Sequence, residues 1–80
     1  MPNLEVIVYS STGCSYCEVV KSFLKENGID FEERNASIHK EYLDELRIRK
    51  IYATPATYIN GKLVLGFQEK KLRTLLQLEV

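Results

Sequence analysis

The sequence predicts an α/β protein: a mixed four-stranded sheet flanked by three helices, with elements in the order β-α-β-α-β-β-α. Three observations predict it. A short apolar run, Val6-Ile7-Val8-Tyr9, passes through Ser10, Ser11, Thr12 and Gly13 into Cys14-Ser15-Tyr16-Cys17 and then an amphipathic stretch, the order strand, loop, Cys-x-x-Cys, helix. Ala53-Thr54-Pro55 interrupts a second helical pattern, because the residue before proline is pushed out of the helical region and proline cannot donate to a ladder. Asn60-Gly61 separates Ala56–Ile59 from Lys62–Leu65 and is the strongest short-range signal for a two-residue hairpin turn.

Each element has its own warrant. Leu4 to Ser10 reads as a buried strand, since β-branched and aromatic residues dominate a run too short for a helix. From Ser15 to Asn27, Cys17, Val20, Phe23 and Leu24 fall at helical spacing, with Glu18, Lys21, Lys25 and Glu26 mostly elsewhere, and Asn27-Gly28 supplies the stop. Ile29 to Arg34 alternates Ile29 and Phe31 with Asp30 and Glu32, a weaker strand that suits a sheet edge. Asn35-Ala36-Ser37 holds two N-cap candidates, after which Ile38, Tyr42, Leu43 and Leu46 recur at helical spacing and Arg47, Arg49 and Lys50 place positive charge at the negative helix end. Gly66-Phe67-Gln68 leads into a last helix with Leu72, Leu75 and Leu76 on one side and Lys70, Lys71 and Arg73 on the other. The first two strands, joined through a helix, should be parallel with a right-handed crossover. Tyr9, Tyr42, Tyr52 and Tyr58 are expected in the core or at its rim, and His39 solvated in a first helical turn.

Eighty residues fit one domain, 1–80, with a modest core. Eleven basic residues balance eleven acidic ones, so no long-range field draws in nucleic acid or an anionic membrane, and neither is an expected partner. No apolar run approaches the ~20 residues of a membrane helix, and the N-terminus lacks a secretory pattern, so a soluble, cytoplasmic protein is expected. In that setting two cysteines three positions apart close too short a loop to act as a staple; they are there to react. Mononuclear zinc would need two further ligands, and His39 is the only histidine.

The first amides of a helix lack intrahelical partners and the macrodipole is positive there, which favours a thiolate at Cys14. Cys17 falls about one turn further on, on the packing side. Cys14 is therefore the expected nucleophile and Cys17 the resolving thiol of a redox-active disulfide.

Taken together, Cys14-Ser15-Tyr16-Cys17 after the first strand, Thr54-Pro55 opening the third and Gly66 ending the fourth resemble the glutaredoxin family, over nearly the whole chain. The resemblance implies a thioredoxin-like (glutaredoxin) fold and a thiol-disulfide oxidoreductase acting on protein disulfides or glutathione mixed disulfides. Glutathione would be its co-substrate, and disulfide-containing or glutathionylated proteins its partners. A monomer with no tightly bound cofactor is expected. The resemblance further implies a cis Thr54-Pro55 bond against the cysteine pair, with the Thr54 backbone open to the cysteinyl part of glutathione or to a substrate strand. Tyr16 would shield Cys14 or contact substrate, and Gly66, Phe67 and Gln68 would stand at the γ-glutamyl end of glutathione.

The chain also departs from the family pattern. Ser15 replaces a common proline, and family members lacking it include some that bind a [2Fe-2S] cluster between two subunits through the first cysteine and glutathione, so Cys14 as a cluster ligand is an alternative. Ser11 replaces the usual lysine, Phe67 is bulky, and Gln68-Glu69 displaces the usual acidic residue. Arg49 and Lys50 are candidates for a glycyl carboxylate as well as for helix-end charge. Gly-Phe is also similar to NrdH-type redoxins, glutaredoxin-like proteins reduced by thioredoxin reductase and serving ribonucleotide reductase, a further alternative.

Overall fold

The computed structural model describes residues 4–78. The elements are β1 (Val6–Ser10), α1 (Ser15–Glu26), β2 (Glu32–Asn35), α2 (Lys40–Ile48), β3 (Ala56–Ile59), β4 (Lys62–Leu65) and α3 (Glu69–Leu75), in the order the sequence predicts. The strands lie β2-β1-β3-β4, with β1 parallel to β2 and antiparallel to β3, and β3 antiparallel to β4.

Strand alternation sends side chains to two separate cores. On one face Val6, Val8, Ile59 and Val64 meet Val20, Phe23 and Leu24 of α1 and Leu72 and Leu76 from the α3 region. On the other, Tyr9 and Ala56 meet Ala36, Leu46 and Ile51, under α2. Thr57 pairs with Val8 and with Val64, both on the α1/α3 face, and is fully buried there.

Helix α1 buries its predicted stripe, Cys17, Val20, Phe23 and Leu24. Asn27 ends it, its Nδ2 donating to the Phe23 carbonyl at 2.8 Å. The hairpin has the expected turn: Asn60 and Gly61 both take positive φ, 51° and 85°, which matches the twist of the flanking strands. Asn60 is also clasped to Glu5, donating its N–H to the Glu5 carbonyl (2.8 Å) and accepting the Glu5 N–H on Oδ1 (2.9 Å).

Several boundaries differ from expectation. β1 begins at Val6, and Leu4 packs against the α1/α3 core from outside the strand. β2 is not Ile29 to Arg34 but Glu32–Asn35: Ile29 and Phe31 tuck against the α1/α3 core within the connection, and the polar residues after them pair with β1 at the sheet edge. Helix α2 starts later than the cap candidates suggest. Asn35 Oδ1 instead accepts the amides of Ser37 (2.8 Å) and Ile38 (3.2 Å), closing a separate turn, and Ser37 Oγ accepts the Thr12 N–H at 3.0 Å. Ile38 is thereby left outside the helix, 68% exposed, and exposed His39 becomes the N-cap. Tyr52, expected at the core or rim, is 81% exposed, because its neighbour Ile51 takes the inward position under α2 and the chain then turns outward.

Candidate active site at Cys14 and Cys17

β1 ends at Ser10, whose buried hydroxyl donates to Glu33 Oε2 at 2.7 Å, with Lys21 of α1 reaching the same carboxylate oxygen at 2.9 Å. The Ser10 hydrogen bond, and after it the Lys21 contact, hold the Glu33 carboxyl below the usual carboxylate range. Strand end, β2 and α1 are thus tied together beneath the loop 11–13. Gly13, at φ 77°, then turns the chain so that Cys14 is the N-cap of α1.

Cys14 stands where a negatively charged cap is favoured. Its Sγ accepts the Cys17 N–H at 3.2 Å, one of the orphan amides of a 12-residue helix. Cys14 is half-buried, whereas Cys17 is fully enclosed. The two sulfurs are joined as a disulfide. The amide and the helix terminus place positive partial charge at Cys14, and of the two sulfurs it is the one a partner can reach.

The Thr54-Pro55 bond is cis. The Thr54 carbonyl oxygen lies 3.8 Å from Cys14 Sγ, and the Ser11 and Thr54 hydroxyls share a 2.7 Å hydrogen bond. Pro55 is buried, and its carbonyl accepts the Gly66 N–H at 2.9 Å, which ties the end of β4 to the same loop; Gly66 makes that turn at φ 69°. Tyr16 is 65% exposed in the first turn of α1.

The structure brings Cys14, Cys17, Ser11 and Thr54 together and commits two other expected site residues elsewhere. Phe67 meets Phe23 edge-to-face, 5.6 Å between centroids, and packs against the α1/α3 core. Gln68 turns its Nε2 back to the Leu65 carbonyl at 2.7 Å. Arg49, a candidate carboxylate ligand, lies 4.5 Å over the Tyr58 ring. Arg47, expected only as helix-end charge, lines a groove of about 580 Å³ that also holds Ser11, Leu43, Leu46, Tyr52 and Thr54. Its i+4 relation to Leu43, and its place beside Leu46, were the signals that could have found it.

Among the described residues no group of three His, Cys, Asp or Glu side chains could hold a metal ion, and no helix is long and apolar enough to cross a membrane.

Residues 6–64 match the glutaredoxin family model. The chain is 28% identical over 71 residues to an uncharacterized glutaredoxin-like 8.6 kDa protein in the rubredoxin operon of Clostridium pasteurianum, covering 88% of this chain and 95% of that one. It is 30% identical over 70 residues to the glutaredoxin-like protein NrdH of Lactococcus lactis, covering 88% and 97%. Among solved structures, a mutant of a thioredoxin-like protein superposes with a TM-score of 0.87 at 36% identity, covering 94% of this chain and 97% of the other, and the Archaeoglobus fulgidus glutaredoxin with a TM-score of 0.77 at 30%, covering 91% and 86%. With a Cys-x-x-Cys pair at the head of its first helix and a thioredoxin-like fold around it, this chain belongs to the glutaredoxin family and is a thiol-disulfide oxidoreductase of that kind.

Proposed function

We propose that the protein reduces protein disulfides by dithiol exchange and is itself recharged by a thioredoxin reductase rather than by glutathione. The difference in access between its two sulfurs carries the first part: Cys14 is half-buried and capped by an amide, Cys17 wholly enclosed. The Cys14 thiolate attacks one sulfur of the substrate disulfide, and the other sulfur leaves as a thiolate and takes a proton. Cys17 then loses its proton and attacks Cys14 within the mixed disulfide, which expels the second substrate sulfur. Two electrons have passed to substrate, and the protein holds the Cys14–Cys17 bond. Thr54 acts through its backbone beside the sulfur, and Tyr16 covers the approach. The cytoplasm, where thiols are kept reduced, is the compartment in which such a donor operates.

The choice of reductant is supported by how three side chains are spent. Ser11 pairs with Thr54, Phe67 stacks on Phe23 and Gln68 caps Leu65, so the positions that would receive the ends of glutathione offer it little beyond the main chain around Gly66. Glutathione still reaches the disulfide, because exchange needs only access and a thiolate. The ribonucleotide reductase service of NrdH-type redoxins fits the same reading. A [2Fe-2S] centre shared between two chains would take Cys14 and a glutathione thiol from each, so it depends on the same glutathione contacts that Ser11, Phe67 and Gln68 leave weak.

Two NADPH-coupled assays test the reading, one with thioredoxin reductase, one with glutathione and glutathione reductase. Fast turnover with the first, and weak, poorly saturating dependence on glutathione in the second, are expected. Tight, saturable glutathione dependence without turnover by thioredoxin reductase would reverse the choice. Cys14→Ser should abolish reduction in both, whereas Cys17→Ser should accumulate a mixed disulfide seen as added mass; faster alkylation of Cys17 than of Cys14 near neutral pH would exchange their roles.

A further inference from the structure

Two serine or threonine side chains are buried among the described residues, Ser10 and Thr57. Ser10 gives its hydroxyl to Glu33, whereas Thr57 Oγ1 has no hydrogen-bond partner. Thr57 is the third residue after Thr54, whose carbonyl lies 3.8 Å from Cys14 Sγ. Its neighbours across the sheet are Val8 of β1 and Val64 of β4, and both pack in one cluster with Val20 of α1. Cys17 is the fully enclosed residue one turn before Val20, in the same buried stripe of that helix. The orphan hydroxyl and the Cys17 sulfur therefore lie on one side of the sheet, under the first turns of α1, and no charged side chain belongs to the buried cluster there.

We propose that the Thr57 hydroxyl is the hydrogen-bond partner of Cys17 whenever that sulfur is not bonded to Cys14, and so helps to set how readily the pair is oxidised. The structure holds the disulfide form, in which the Cys17 sulfur carries neither proton nor charge. In that form the hydroxyl has nothing to bond, and a valine would fill the space without an unpaired group. Reduction changes one atom. Cys17 becomes a thiol, a weak donor and acceptor, and when it attacks the mixed disulfide it passes through a thiolate in a place enclosed from water. A buried anion needs a donor. Ser10 is committed to Glu33, and the Cys17 amide is given to Cys14 Sγ, so Thr57 is the buried hydroxyl left to serve. A hydroxyl can turn, accepting from the thiol and donating to the thiolate. The step balances without Thr57 losing its proton: the bond from Cys14 to substrate breaks as Cys14–Cys17 forms, and the Cys17 proton ends on the departing substrate sulfur. The proposal concerns the cysteine couple alone, so it stands or falls apart from the choice of reductant.

The test needs no partner protein. Wild type, Thr57→Val and Thr57→Ser are equilibrated with mixtures of reduced and oxidised dithiothreitol, quenched by alkylation and resolved by mass. Thr57→Val should shift the equilibrium about five-fold toward the disulfide form, the worth of one neutral hydrogen bond lost from the reduced form. Thr57→Ser, which keeps the hydroxyl, should stay with wild type. Urea unfolding of each protein in both redox states supplies the second readout, since a hydroxyl with only a packing role would act on the two states alike. The gain in stability from Thr57→Val should be confined to the oxidised form, with the reduced form unchanged or weakened. An unchanged dithiothreitol equilibrium in Thr57→Val, an equal gain in both redox states, or a shift in Thr57→Ser as large as in Thr57→Val would each overturn the proposal.

Discussion

The two faces of the sheet are built from different materials. Under α1 and α3 the core is aliphatic and aromatic throughout, apart from Thr57, and encloses Cys17 in the same stripe as Val20 and Leu24. Under α2 the buried set is smaller, and its largest member, Tyr9, sends its hydroxyl to Glu45 Oε1 at 2.6 Å while accepting from Arg34 at 2.9 Å. Arg49 completes that side over the Tyr58 ring. The apolar face holds Cys17 away from water, and the mixed face carries a groove and polar groups beside Cys14. The closed core and the grooved surface thus lie on opposite sides of one sheet, with the cysteines at their common end.

The largest expected effect breaks this contrast or upholds it. Leu24→Ala should cost about 3 kcal/mol by urea unfolding, from lost burial and a cavity in a closely packed site. Leu46→Ala, buried among half-exposed Tyr42 and Leu43 that can settle inward, should cost about 2 kcal/mol. Equal losses would remove the distinction between the faces.

Next in size is Tyr9→Phe, which should cost about 1 kcal/mol near neutral pH through the lost hydrogen bonds. Burial first, and then the bond to Glu45, hold the Tyr9 phenol above its ordinary value. A proton bound more tightly in the folded state stabilises below the unfolded phenol range, about 10, and that contribution is lost as pH rises through the folded value. The variant should therefore converge on wild type as unfolding is repeated at increasing alkaline pH. A constant gap would place the effect in packing alone.

The smallest change is a gain. Thr57 Oγ1 is buried on the apolar face with no hydrogen-bond partner among the described residues. Thr57→Val keeps its shape and removes the unsatisfied hydroxyl, so thermal unfolding should show stabilisation of up to about 1 kcal/mol. A loss instead would show that the hydroxyl is satisfied in solution.

What was legible in the sequence was local. The Cys-x-x-Cys at a helix start, the stop at Asn27-Gly28, the break at Thr54-Pro55 and the Asn60-Gly61 turn each follow from backbone chemistry within a few residues, and together they order every element. What was not legible depends on direction in three dimensions. Asn35 is a sound cap by composition, yet its Oδ1 closes a separate turn on the Ser37 and Ile38 amides, and α2 begins only at Lys40. Spacing could not tell Ile51, which goes inward, from Tyr52, which does not. Arg47 and Arg49 look equivalent as helix-end charges, and only the course of α2 over the sheet puts one on the groove and the other on Tyr58.

The position of β2 has a consequence for the protein in concentrated solution. It forms one margin of the sheet and presents exposed Glu32 and Glu33 with Arg34, where a strand from another molecule would need a flat, apolar row to add itself. With eleven charges of each sign there is no bulk repulsion to keep molecules apart. Charge at that margin is the feature that opposes strand addition, so neutralising Glu32, which leaves the Glu33 contacts to Ser10 and Lys21 intact, should raise light scattering in concentrated solution more than neutralising Glu69 on α3.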